Sequence, residues 1–158
     1  MKEIFETLKR RLKGVWKGEG SAKYPTIQPT FYTEVWEFEP DEFKDAIYFN
    51  QKTKYKNNTE KNGQTVFWDT GFILLKDEKI LLVSAQVGGR TETYELQQFI
   101  DDRFTFNTIN IENDPKTITT QRIIKIKGNV LEYELNMSTY QNERFENHLS
   151  AKLDKTFD

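Results

Sequence analysis

The first fourteen residues and the rest of the chain follow two different rhythms. In "MKEIFETLKRRLKG", Ile4, Leu8 and Leu12 recur every fourth place with Phe5 beside them, and charges fill the positions between. That spacing predicts one amphipathic helix of about three turns, stopped at Gly14. From there on the period is two. "FYTEVWEFE" (31–39) sets Tyr32, Glu34, Trp36 and Phe38 against Phe31, Thr33, Val35 and Glu37. "RTETYELQQF" (90–99) alternates strictly, and strands are also predicted over 46–55, 65–75, 79–87, 103–111, 116–128, 130–140 and 148–157. The glycines of "GVWKGEG" (14–20) suit a sharply bent first strand. "KDE" (76–78), Asp101-Asp102 and Gly128-Asn129 mark short turns, and "KNNTEKNGQ" (56–64) reads as an exposed loop.

Connections this short leave no room for crossover helices, so the sheet is expected to be antiparallel and up-and-down. An open sheet of about ten strands tends to close, since closure removes its edges. The fold expected is therefore all-β: an antiparallel meander barrel of about ten strands, carrying one short N-terminal helix, in a single domain over residues 1–158. A β-sandwich built from the same elements is the alternative. A barrel of this strand number has room inside for a small ligand.

Composition sharpens this picture. Hydrophobic residues make up only 36% of the chain, yet aromatics reach 14%, as expected of strands with one wet face and one packed or cavity-lining face. The 23 basic and 25 acidic residues are interspersed, which speaks against a nucleic-acid footprint. No secretory leader pattern and no long apolar run is visible, so a cytoplasmic protein without a membrane partner is expected. The N-x-S/T matches at 57–59 and 136–138 are then coincidental.

Candidate chemistry is sparse. The absence of cysteine removes disulfides, thiolate metal sites and cysteine nucleophiles. There is no G-x-S-x-G elbow, and "GVWKGEG" lacks the ending of a phosphate loop. Asp101 and Asp102 read as solvated turn residues. The only histidine, His148, cannot build a multi-histidine metal site. Haem is different, because the porphyrin fills the in-plane positions and the protein need supply one axial ligand. A lone histidine on a polar strand is either such a ligand or a surface residue, and composition leaves both open. Strict alternation puts His148 on a face with Ser150 and Lys152, opposite Leu149, Ala151 and Leu153. That arrangement suits a ligand near an open barrel mouth. The aromatics Phe31, Trp36, Phe38, Tyr48, Phe49, Phe67, Trp68 and Phe72 are expected to be mostly core, and Trp16 to pack where the first strand crosses the barrel.

Local sequence carries more. "LKGVWKGEGSAKYPTIQPTFYTEVWEFE" (12–39) holds a G-x-W-x-G-x-G of Gly14, Trp16, Gly18 and Gly20. Tyr24-Pro25-Thr26-Ile27 follows, then Phe31 (one place off the usual spacing), Tyr32 and Glu34. "DTGFILL" (69–75), "VSAQVGGRTETYEL" (83–96) and "LEYELNMSTYQNERFENHLSAKLDK" (131–155) continue the pattern in order. Over nearly the whole chain this resembles the nitrobindin family of small haem-binding β-barrels. The resemblance implies ferric haem b as cofactor, with His148 as the proximal iron ligand and metal-binding residue, and Thr26 bordering the haem. It implies nitric oxide and peroxynitrite as small-molecule ligands, and isomerisation of peroxynitrite to nitrate by the iron acting as a Lewis acid. One departure stands out: where some relatives carry a distal histidine, this chain has Phe67, so no distal imidazole can donate to a bound ligand.

Two other readings belong to different classes. A carrier of another apolar molecule, of the lipocalin or fatty-acid-binding type, would hold a carboxylate with Arg90, Arg103, Arg122 or Tyr133. An interaction barrel would have a filled interior and no ligand. Such barrels can also pair as homodimers through a strand face or edge.

Overall fold

The computed structural model describes residues 1–23 and 28–157. Helix α1 spans Lys2–Leu12. The strands are β1 (Gly14–Ala22), β2 (Thr30–Pro40), β3 (Ala46–Tyr55), β4 (Thr65–Lys76), β5 (Lys79–Gln86), β6 (Thr91–Ile100), β7 (Arg103–Glu112), β8 (Thr117–Lys127), β9 (Val130–Thr139) and β10 (Glu146–Lys155). Each strand pairs antiparallel with its sequence neighbours, and β1 pairs with β10 to close the barrel. The meander barrel expected from the sequence is the fold, and the sandwich is not.

Alternation sets the two faces. Along β2, Tyr32, Glu34, Trp36 and Phe38 are buried while Phe31, Thr33 and Glu37 are exposed. The expectation of strict alternation fails in β6. Its register with β7 shifts between Leu96 and Gln98, and both Gln97 and Gln98 face solvent. Such a shift inserts one residue and re-aims those after it. The expectation that most of the named aromatics are core holds for Trp36, Phe38 and Phe49 but not for Phe31, Tyr48, Trp68 and Phe72, which are exposed. These four take the outward places of their strands. There Tyr48 packs against Phe72, and the Lys52 ammonium lies over the Trp68 ring.

The helix plugs one end of the barrel. Phe5, Leu8 and Leu12 are fully buried, and Trp16 donates its indole N–H to the Leu12 carbonyl at 2.8 Å. Lys9, Arg10 and Arg11 occupy the last turn, where positive charge complements the helix dipole. Arg11 also reaches Asp102 in the β6–β7 turn at 2.5 Å, so Asp102 is ion-paired rather than merely solvated. Above the plug lies an aromatic layer in which Trp36 meets Phe38 and Tyr133 with ring centroids 4.8 Å apart. No helix among the described residues is long and apolar enough to cross a membrane.

Candidate functional site

The end of the barrel opposite the helix is hollow. A cavity of about 350 Å³ is lined by the apolar side chains of Val66, Phe67, Leu135, Met137 and Leu149 and by the polar ones of Tyr32, Thr53, Gln86, Arg90 and Asp114. That volume lies at the lower end of the roughly 300–1,000 Å³ usual for small-molecule pockets. Glycine makes part of the room: a Cβ on Gly20 would stand 2.6 Å from the Tyr32 ring, so the ring can fold over β1 only because no side chain is there.

His148 lies in β10, and the strand bulges around it. Asn147 pairs with Asn136 and Leu149 with Leu135, which leaves His148 as the extra residue between them. The bulge cancels the alternation on which His148 would share a face with Lys152. His148 and Leu149 are both buried, at 5% and 6% exposure, while Lys152 remains exposed. Leu149 is part of the cavity wall, and His148 is its buried neighbour along the strand without itself being among the lining residues. The backbone there is pinned by the Lys23 amide, which donates to the His148 carbonyl at 2.8 Å. Burial lowers the His148 pKa below its ordinary value, with the Glu146 charge opposing. The imidazole is therefore neutral near pH 7, the form that ligates a metal. Thr26, the other expected haem neighbour, lies outside the described residues.

Beneath the cavity the barrel holds a layer of buried charge that periodicity alone did not single out. Arg122 Nη1 lies 2.6 Å from Asp69 Oδ2, and Nη2 lies 3.2 Å from Ser84 Oγ and 3.5 Å from Glu92 Oε2. The guanidinium also stands 4.8 Å from the Tyr94 ring. Tyr94 and Thr120 donate to Glu92 at 2.6 and 3.1 Å, and Ser84 donates to Asp69 at 2.6 Å. Burial opposes the charge on Arg122, but Asp69 above all holds the guanidinium protonated. Glu34 accepts from the Gln51 amide in the same layer. Burial pushes the Glu34 carboxyl up to about 7, against the pull of Gln51 and Arg122. The signal was present in the alternation, since Glu34, Asp69, Glu92 and Arg122 all fall on inward places of their strands.

At the rim, Arg90 spans Glu92 at 3.6 Å and Asp114 at 2.9 Å. Burial opposes ionisation of Asp114, but hydrogen bonds from Thr117, Arg90 and the Lys116 amide hold its pKa at about 2. Of the four residues that a carrier would use, only Arg90 reaches the cavity. Arg122 and Tyr133 are sealed in the core, and Arg103 is exposed at the β6–β7 turn. Among the described residues, no three His, Cys, Asp or Glu side chains gather closely enough to hold a bare metal ion.

The donor set fits a haem. A single neutral imidazole beside an apolar wall is the protein's share of such a site, because the porphyrin supplies the other iron bonds. Phe67 forms part of that wall, as its place in the sequence led us to expect.

Comparison with known proteins agrees. Peroxynitrite isomerase 1 of Mycolicibacterium paratuberculosis is 30% identical over 149 residues, covering 90% of this chain and 89% of that protein. A protein of Arabidopsis thaliana named Peroxynitrite isomerase Rv2717c is 30% identical over 146 residues, covering 91% and 84%. The crystal structure of Rv2717c from M. tuberculosis superposes with a TM-score of 0.81 at 24% identity over 97% of this chain and 98% of that one. The S-type phycobiliprotein lyase CPES from Guillardia theta shares the fold at a TM-score of 0.61 and 12% identity, over 99% of this chain and 97% of the other. The family model described as the THAP4-like, heme-binding β-barrel domain matches residues 8–155, and the chain therefore belongs to that family of nitrobindin-type barrels.

Proposed function

We propose that this chain binds ferric haem b at the open end of the barrel, where His148 would hold the iron and Thr26 would border the haem. The observation that carries the reading is the β10 bulge, at which the only histidine of the chain is buried next to Leu149, a residue that lines the cavity. When bound, the haem iron supplies a Lewis-acid and nitric-oxide-binding centre. The chain's own residues do the rest. His148, kept neutral by burial, presents a lone pair. Val66, Phe67, Leu135, Met137 and Leu149 give the pocket its apolar lining, which disfavours water there. On this reading the ligands are haem, nitric oxide and peroxynitrite, peroxynitrite is isomerised to nitrate, and the place of action is the cytosol. Neither nucleic acid nor a membrane is a partner, and two copies pair through a strand face or edge. The relatives named peroxynitrite isomerase support this reading.

Hemin titration of the purified protein tests it. A saturable Soret band in the wild type that is lost in His148→Ala is the expected result. The same weak, non-specific absorption from both proteins would overturn the proposal.

Arg90 favours a second reading. It is a half-buried cation at the rim of a cavity whose lining is partly apolar, which also suits a carrier of an anionic apolar molecule. Organic extraction of freshly isolated protein separates the two: haem in the extract supports the first, and lipid without haem supports the second.

A further inference from the structure

The layer between the aromatic floor and the cavity holds an unbalanced set of polar atoms. Glu34 Oε2, Gln51 Oε1, the Trp36 indole N–H and the Tyr133 hydroxyl are all buried, and none has a hydrogen-bond partner among the described protein atoms. They belong to one contiguous cluster. Trp36 faces Gln51 across β2 and β3, Gln51 donates to Glu34, and the Trp36 and Tyr133 rings touch edge to face with centroids 4.8 Å apart. The four residues are at most 2% exposed. Buried polar atoms are nearly always satisfied, by protein or by ordered water, because leaving one dry is costly. Here donors (Trp36, Tyr133) and acceptors (Glu34, Gln51) are both left over, which is the complement a buried water needs for its two to four bonds.

The cluster also adjoins the cavity. Glu34 is two places along β2 from Tyr32 and directly opposite Thr53 on β3, and both of these line the cavity. All three side chains take the inward face. A carboxyl in that place stands one layer below the cavity, on the protein side of Phe67's strand partner Thr53.

We propose that Glu34, Trp36, Gln51 and Tyr133 enclose an internal water site under the cavity, and that Glu34 exchanges a proton with the cavity through that water. The step is proton transfer alone. Glu34 releases its proton to the water, the carboxylate left behind keeps the Gln51 amide and the Arg122 charge, and the proton returns from solvent by the same path. The titratable and charged groups facing this layer are Arg122 from β8, Tyr133 from β9, Asp69 from β4, and Glu92 and Tyr94 from β6. β1 offers only Gly18 opposite Glu34, and β10 offers Ala151 opposite Tyr133. A carboxyl pushed by burial to about 7 is suited to exchange near neutral pH. The inference rests on the barrel interior and on no bound group, so it stands or falls separately from haem binding.

Two measurements on the protein without added hemin decide it. In infrared difference spectra taken from about pH 5 to about pH 9, the wild type is expected to lose a neutral carboxylic-acid carbonyl band that Glu34→Gln lacks. Identical difference spectra from the two proteins would overturn the proton role. Tyr133→Phe tests the water. If the hydroxyl binds an ordered water, its removal lowers the urea midpoint. If the site is dry, removing an orphan hydroxyl raises the midpoint, and that result would overturn the water site.

Discussion

His148 and Leu149 are consecutive in β10, yet both side chains are buried, because one residue more stands on this strand than on β9 between the Asn147–Asn136 and Leu149–Leu135 pairs. A regular strand would send one of them outward. Burial has a consequence for pH that can be worked out by sign. The folded pKa of His148 lies below its ordinary 6.5, so the unfolded chain takes up this proton first as the pH falls. The histidine contribution to stability is then whole above 6.5 and is lost as the pH drops below it. His148→Gln is expected to flatten that part of the stability profile, as read from urea midpoints between about pH 5 and about pH 8.

Glu34 works in the opposite direction over an overlapping range. Its folded pKa of about 7 lies above the ordinary 4.5. The unfolded chain ionises first as the pH rises, so stability is full below 4.5, declines up to about 7, and then levels off. The full decline is on the order of 3 kcal/mol. Glu34→Gln is expected to be more stable than the wild type at about pH 8 and to lose that advantage near pH 4.5, in denaturant melts at the two values.

Arg122 holds the buried charge together. It faces Asp69 at 2.6 Å and Glu92 at 3.5 Å, and all three are essentially inaccessible to water. Removing the cation leaves Asp69 without an ion partner in the core and Glu92 with only the longer contact to Arg90, a change that typically costs about 3–5 kcal/mol. Arg122→Met is expected to destabilise the barrel by that amount at neutral pH, and by less in acid, where the carboxylates can protonate. Urea unfolding at both pH values checks the prediction.

The seam that closes the barrel depends on Gly18. It pairs with Leu153 on β10 and Glu34 on β2. A Cβ there would collide with the Lys152 carbonyl oxygen and stand 2.8 Å from the Leu153 Cα, so the backbone itself would have to move. Gly18→Ala is expected to lower the thermal midpoint sharply or to prevent folding. Gly88→Ala, whose added methyl meets nothing within 4 Å, is expected to melt close to the wild type. Circular dichroism melts of the two variants make the comparison.

The sequence by itself determined the strand count, the meander order and the helix, because a period of two or of 3.6 is a local property of neighbouring residues. It also singled out His148, through the resemblance of the closing segment "HLSAKLDK" to the family pattern rather than through alternation. Only the tertiary structure decided that this histidine is buried. A bulge is defined by a partner strand, and nothing within β10 reveals that Asn136 and Leu135 on β9 leave one residue unmatched. The same holds for the buried polar layer. Glu34, Asp69, Glu92 and Arg122 are each an inward charge on its own strand, but their pairing depends on which strands the closed barrel brings face to face. Coulomb attraction and desolvation act across space, and sequence periodicity records only direction along a strand.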